Sequence, residues 1–396
     1  MDTNRRRVIA AVLAGGFGGL AGCTDGDVVG GIGGGGGDDG DDAEATVDGG
    51  DDMADDADEI PEDAPPVADR WLHLDHDVEF MLNESLSGGV GQDGIPSIDE
   101  PRFRPIGESD LDDDAPVFGV VRNGEARAYP QYVLVWHEIV NDTVDGERVA
   151  VTYCPLTGTA QGFERGDAQF GVSGHLVNSN LIMYDRTTES WFPQMVATGI
   201  DGPMTGHSLR EFQVVWTTLG EWRAEHPDSE LLTDETGYAR RYGNDPYGEY
   251  TPPGGYYVED RTMFAPLESV DEGHTKSVVI GARTDAGAIA FDKQTLLDER
   301  VLTGTVAESG GSTDVVAVSD PALSTGYVYR NPGGLAVEPD GNRYLVEEDG
   351  ADHGVVDADD LPLDRLLAYD AMWFAWAGFY PTTEFVGEHT DAGYGR

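Results

Sequence analysis

The most constraining feature of this chain is a pattern that occurs twice at a constant offset, with Val117 of the first copy matching Val279 of the second. In the first copy Val117-Phe118-Gly119-Val120 leads through Asn123-Gly124 to Ala126-Arg127-Ala128-Tyr129, and then to Leu134-Val135-Trp136-His137. In the second, Val279-Ile280-Gly281-Ala282 leads through Asp285-Ala286-Gly287 to Ala288-Ile289-Ala290-Phe291, and then to Leu296-Leu297-Asp298-Glu299. Each reads as strand, tight turn, strand and short helix, because Asn, Asp and Gly tolerate the left-handed backbone of a hairpin turn. After a small gap shift, Ala150-Val151-Thr152-Tyr153-Cys154-Pro155 ending at Phe163-Glu164-Arg165 resembles Ala317-Val318-Ser319-Asp320-Pro321 ending at Val328-Tyr329-Arg330. The expected fold is α+β and β-rich, an internal duplication of a strand-turn-strand-helix-strand unit, with its halves packed as one large domain. The halves are expected at residues 67–232 and 265–396, joined by an irregular Gly-, Pro-, Tyr- and Asp-rich connection at 233–264. Further helices are expected at Thr217–His226, stopped by Pro227, and at Leu363–Phe379 before Pro381.

The chain from Met1 to Pro66 reads as an address and a tether. Arg5, Arg6 and Arg7 precede an apolar, glycine-rich run from Val8 to Gly22, which is signal-peptide length and short for a membrane span. It ends in Leu20-Ala21-Gly22-Cys23, so residues 1–23 resemble a twin-arginine export signal with a lipobox in which Cys23 takes the lipid. Residues 24–66 carry sixteen acidic side chains and no basic one. Such a segment cannot bury a core and is expected to be a disordered tether with a random-coil reach on the order of 35 Å. The run Gly33–Gly37 is no phosphate loop, since neither a preceding apolar strand nor a following Lys-Ser/Thr accompanies it.

Charge narrows the partners. With 24 Lys+Arg against 75 Asp+Glu the formal charge is -51, which excludes nucleic-acid or anionic-membrane binding through a basic surface. Only Lys276 and Lys293 are lysines. Acid in such excess reads as adaptation to very high salt, where the Debye length shrinks to about 3 Å at 1 M. The expected source is a salt-loving microbe, and the expected location is the outer face of its membrane, held by the lipid on Cys23.

Chemistry centres on Cys154, the single cysteine left once Cys23 is lipidated, so neither an intramolecular disulfide nor a thiolate-rich zinc site can form. Across the two copies, Pro155 and Arg165 match Pro321 and Arg330, whereas Cys154 faces Asp320 and His137 faces Glu299. Shared positions read as scaffold, unshared ones as a site. Three chemistries fit. Cys154 and His137 could be nucleophile and base, with Asn141, Asn178 or Asp185 orienting the ring. Cys154, His137 and His175 could hold copper or zinc, with Met183 or Met195 as a weak extra ligand. Or a polar pocket could hydrogen-bond a small ligand through Asn141, Asn178, Asn180, Tyr184 and Asp185. Read as one strand, residues 175–185 put His175, Ser179 and Asp185 on one face and Asn178, Asn180 and Tyr184 on the other; the plainer alternative has the asparagines shaping a turn. His137-Glu138 begins a zinc-protease motif but lacks its second histidine, since Asn141 stands there.

Trp136-His137-Glu138-Ile139-Val140-Asn141-Asp142, Val151-Thr152-Tyr153-Cys154-Pro155-Leu156, Phe170-Gly171-Val172-Ser173-Gly174 and Asn178-Ser179-Asn180-Leu181-Ile182-Met183-Tyr184-Asp185-Arg186 resemble the signature blocks of the family called domain of unknown function 3179. His274-Thr275-Lys276 and Trp373-Phe374-Ala375-Trp376 resemble its later blocks. The resemblance implies no particular activity, cofactor or substrate. Many members have a second cysteine three residues after the first; here that residue is Thr157, which puts a Cys-x-x-Cys mechanism in question for this chain. The expected function is a lipid-anchored cell-surface protein binding a metal or small ligand in a Cys/His-centred pocket, the alternatives being a thiol enzyme with Cys154 as nucleophile and a structural surface protein. Cys23→Ala is expected to move the protein out of the membrane fraction and remove the lipid mass from its mature N-terminus; an unchanged membrane fraction in fractionated cells would refute the anchor.

Overall fold

Gly-containing turns and apolar strands assemble as the sequence pattern directs. The computed structural model describes residues 60–270, 272–348 and 351–393, so the leader, Cys23 and residues 24–59 lie outside the described part. β1 (Pro116–Arg122) and β2 (Glu125–Pro130) pair antiparallel around Asn123 and Gly124 at φ 49° and 95°, both left-handed as a two-residue hairpin turn requires. α1 (Gln131–Leu134) follows, then β3 (Ile139–Val144), β4 (Glu147–Cys154) and β5 (Thr159–Glu164). The hairpin of β6 (Phe170–Val177) and β7 (Asn180–Asp185) precedes β8 (Glu211–Phe212), β9 (Val215–Thr218), α2 (Leu219–Glu225) and β10 (Glu230–Leu232). Beyond the connection come β11 (Val278–Arg283), β12 (Ala288–Asp292), α3 (Lys293–Glu299), β13 (Val301–Glu308), β14 (Gly311–Asp320) and β15 (Thr325–Arg330). The second half closes with β16 (Arg365–Leu366), β17 (Ala368–Met372), α4 (Trp373–Phe379) and β18 (Glu384–Val386). The fold is α+β and β-rich.

The sheets of the two halves have matching orders. β9-β1-β2-β10 corresponds to β17-β11-β12-β18, each with an antiparallel hairpin at its centre and a parallel pair after it. β8-β5-β4-β3 likewise corresponds to β16-β15-β14-β13. Even the tightest packing recurs. A Cβ on Gly119 would stand 2.0 Å from the Trp222 ring, and one on Gly281 would stand 2.2 Å from the Trp376 ring. Each indole N–H then donates to a hydroxyl one helix-end further along the chain, Trp222 to Ser229 and Trp376 to Thr383. Glycine is required at both positions because the helix lies directly on the hairpin.

Three local expectations change. The helix expected from Thr217 starts at Leu219: Thr217 and Thr218 belong to β9, and Thr218 caps α2 reciprocally with Glu221. Of Leu363–Phe379 only Trp373–Phe379 is helical, because the apolar run before it is β17, a strand buried along its whole length. Residues 175–185 form no single strand, and the turn alternative is the one realised: Asn178 and Ser179, at φ 55° and 61°, turn the chain back on itself.

Both lysines are interior. Lys293 Nζ reaches Asp370 Oδ2 at 2.6 Å, and fully buried Lys276 donates to the carbonyls of Arg261, Glu259 and Tyr256. The halves meet through β17, whose Met372 N–H donates to Thr157 O at 2.9 Å, and through Arg283 of β11, which pairs with Glu211 of β8 at 2.7 Å. Because a side chain at either tight glycine displaces an indole, Gly119→Ala and Gly281→Ala are each expected to lower unfolding free energy by about 1–3 kcal/mol. Gly107→Ala, whose Cβ would meet nothing within 4 Å, is the control and should be nearly neutral in the same denaturant titrations.

Candidate functional site

The turn after α1 sets the site. The Glu138 N–H closes on Leu134 O at 2.7 Å, and Glu138 takes a left-handed φ of 58° before the chain enters β3. Its carbonyl accepts from Tyr153 N at 2.8 Å, which lays Glu138 against the end of β4, where Tyr153 and Cys154 project to opposite faces. The Asn178-Ser179 turn covers the thiol: Leu181 N donates to Cys154 Sγ at 3.4 Å, and Sγ points at Ser179 O at 3.7 Å.

Electrostatics mark Glu138 as the odd member. The residue is 6% exposed, and among the described residues no donor or cation reaches its carboxyl. Burial alone pushes that carboxyl up to about 8. Cys154 is pushed up to about 11, first by burial and then by the Glu138 charge. The Tyr247 phenol is driven well above its ordinary value by burial, then Glu138, then Cys154, and its hydroxyl makes no hydrogen bond among the described residues. Tyr256, raised by burial and by Cys154, anchors its hydroxyl on Leu156 O at 2.8 Å. Lys276 holds that segment down, with Nζ 3.6 Å over the Tyr256 ring, and burial lowers the ammonium to about 8. Carboxyl, thiol and phenol thus gather with no cation among them, each disfavouring charge on the next.

The matching place in the second half differs. Arg300, which stands opposite Glu138 under the same offset, is also left-handed at φ 74°. Its guanidinium donates to Ser319 Oγ at 3.0 Å, Tyr344 OH at 3.2 Å and Gly341 O at 3.0 Å. One frame holds a guanidinium engaged through Nε and Nη1, the other a carboxyl with no hydrogen-bond partner among the described residues.

The residues singled out from sequence are not assembled as one group. His137 turns away from Cys154: Nδ1 donates to Pro96 O at 2.7 Å, which leaves Nε2 to accept from Tyr242 OH at 2.7 Å, and burial lowers the ring to about 4. His175 lies on β6, its ring tilted 37° to that of Trp191 with centroids 4.7 Å apart. Neither is joined to Cys154, and no group of three or more His, Cys, Asp or Glu among the described residues is placed for a metal ion. Met183 and Met195 are fully buried core residues. Asn141 bridges β3 to Phe170 N and O and to Asp99; Asn178 spans Ala375 O and Leu267 N; Asn180 ties Thr157, Gln194 and Met195 N together. Tyr184 donates to Asp93, and Asp185 accepts from Thr187 and Thr188 N–H groups. The three asparagines and Tyr184 join elements, and Asp185 closes the turn that follows β7. Glu138, Tyr247 and Tyr256 escaped the sequence reading, although Glu138 could have been found one position beyond the His137/Glu299 comparison, where a carboxylate faces Arg300.

A family model described as "Protein of unknown function (DUF3179)" matches residues 92–383. The chain belongs to that family. Within DUF3179 the matched span contains Glu138, Cys154, Tyr247, Tyr256 and Lys276, so the whole cluster lies in the family domain. No curated protein and no solved structure matches the chain.

Glu138 makes stability depend on pH in a definite direction. A carboxyl raised from 4.5 to about 8 keeps its proton on folding, so its favourable neutral form is fully present below 4.5 and is lost as pH rises through 8. Glu138→Gln is therefore expected to be more stable than the parent above pH 8, by on the order of 2–4 kcal/mol, and equal to it below pH 4.5. Parallel stability curves across that range would show that the carboxyl is solvated.

Proposed function

We propose that this DUF3179 protein is a lipid-anchored, extracytoplasmic binding protein adapted to high salt, which holds a metal ion or small ligand between Glu138, Cys154 and Tyr247. The observation that carries the reading is the buried Glu138 carboxyl, left without a partner beside a buried thiol. Burial disfavours the charged carboxylate, and a bound cation would favour it. Zinc suits the donor set better than copper(I), since thiolate and carboxylate oxygen are both ordinary zinc ligands and one sulfur is few for copper(I). The surface supports the salt reading: the net charge is -51, and neither lysine is exposed. The matching sheet orders and the paired glycine–tryptophan contacts support a duplication in which only the first half kept a site.

The thiol-enzyme reading is weaker on two counts. A thiol pushed up to about 11 is thiolate in roughly one molecule in ten thousand at neutral pH, and both ring nitrogens of His137 are committed elsewhere. A metal would remove the thiol proton outright. The folded chain, loaded with zinc and exchanged into metal-free buffer, is expected to retain about one zinc per chain by elemental analysis. Cys154→Ser and Glu138→Gln should each weaken retention about tenfold or more, and Cys154 should resist iodoacetamide until unfolding. Rapid alkylation of a zinc-free chain would transfer Cys154 to the nucleophile role.

A further inference from the structure

Both covers of the Cys154 thiol are fastened from the second half. Asn178, which opens the turn over the sulfur, donates from Nδ2 to Ala375 O of α4 at 2.7 Å, and its Oδ1 accepts from Leu267 N at 2.9 Å. α4 presses on that turn so closely that a Cβ on Gly378 would stand 2.2 Å from Asn178 Oδ1. The other cover is the part of the connection from Tyr247 to Phe264. Its anchor is Lys276, just ahead of β11. There Nζ donates to Arg261 O at 2.8 Å, Glu259 O at 3.3 Å and Tyr256 O at 3.4 Å, and lies 3.6 Å over the Tyr256 ring. Beside it Thr275 N donates to Asp260 Oδ1 at 3.0 Å.

The two covers differ in how firmly the chain holds them. The Asn178-Ser179 turn joins β6 to β7 within a four-stranded sheet, so it cannot leave without unpicking strands. The connection has no such tie. Its strands Gly248–Tyr250 and Pro253–Gly255 pair with each other and, among the described residues, with no further strand. Its fastenings are side-chain contacts, chief among them Lys276, the Tyr256 hydroxyl on Leu156 O at 2.8 Å, Tyr250 OH against Tyr153 OH at 2.8 Å, and Ser179 Oγ on Phe264 O at 3.1 Å. Segments held in this way open at lower free energy than the frame they rest on.

One cover has to open. Cys154 is 1% exposed and Glu138 6%, so a ligand arriving from water reaches neither while both covers are down. The connection carries Tyr247, whose phenol senses Glu138 and Cys154, and Tyr256, whose phenol senses Cys154. Lifting it takes both rings off the site in one movement.

We propose that residues 247–264 are a strap that lifts as a unit to admit a ligand to Glu138 and Cys154, with Lys276 as its latch. The proposal rests on the reading that those two groups bind a ligand. It gives the second half a task in the site of the first, holding one cover with Lys276 and the other with α4.

Alkylation of the native chain tests it. The folded, zinc-free full chain is treated with iodoacetamide at neutral pH, Cys154 is followed by peptide mass, and the unfolded fraction is taken from denaturant titration of the same sample. Lys276→Met keeps the apolar stem but removes all three donations and the charge over the ring, whereas Tyr256→Phe removes only the hydroxyl on Leu156 O. Each is expected to raise the Cys154 rate about tenfold or more beyond what its own unfolded fraction accounts for. Gly119→Ala, whose Cβ meets the Trp222 ring, is the control and should raise the rate only in proportion to its unfolded fraction. Rates that follow the unfolded fraction in all three variants would overturn the strap. Where Lys276→Met does not fold, Tyr256→Phe set against Gly119→Ala decides. Zinc retention by the unaltered chain is a separate readout: its failure removes the ligand reading, while retention with no gain in alkylation removes the strap alone.

Discussion

The buried ion pair between Arg283 and Glu211 is the constraint on which the joining of the two halves rests. Its groups are 3% and 4% exposed, and Arg283 also donates to Val196 O and Tyr380 OH, so one guanidinium clamps strands from both halves and the end of the last helix. Burial raises the Glu211 carboxyl even against the opposing guanidinium, which shows how much desolvation the pair carries. Such a pair adds little net stability over an apolar substitute, but removing one member strands the other in a dry seam. It therefore acts as a register pin: sheets displaced by one residue would leave a buried charge unmatched.

Held in that register, the halves use one frame for different ends. Positions at the close of the helix and at the end of the long strand recur as Glu138 and Cys154 in the first half and as Arg300 and Asp320 in the second. In the second, Tyr344, on the strand Arg343–Glu348 of a separate three-stranded sheet, packs on Arg300, whose guanidinium carbon lies 5.2 Å from the ring centroid. In the first, the cover comes from the connection, with Tyr247 and Tyr256 as its inner faces. The helix start repeats the contrast, with the Lys293 ammonium paired to Asp370 and the neutral Gln131 amide donating to Asp245.

Much of the frame was legible because hairpins announce themselves. Asn123-Gly124 needs two left-handed residues, and the apolar alternation around it leaves one register. The Asn178-Ser179 turn is harder to see, since serine seldom adopts a positive φ and the residues on both sides read as one continuous strand. Leu363–Phe379 misleads because a strand buried on both faces and a buried helix show the same unbroken apolar run. The site was harder still. Cys154 stood out by contrast with Asp320, but the direction of its neighbours depends on a left-handed residue: with Glu138 at φ 58°, His137 is swung toward Pro96 and Tyr242 instead of the thiol. Tyr247 and Tyr256 lie far downstream in a segment without periodicity, so nothing local connects them to Cys154.

The burial of both lysines has a consequence for the exterior as a chemical object. Lys276 is enclosed by three carbonyls and a phenol ring, and Lys293 by a carboxylate, so the described surface presents no primary amine at all. Its reactive vocabulary is carboxylate, guanidinium and hydroxyl. Amine-directed crosslinkers and lysine-modifying enzymes would find no foothold on the described surface, and attachment to it falls first to its abundant carboxylates.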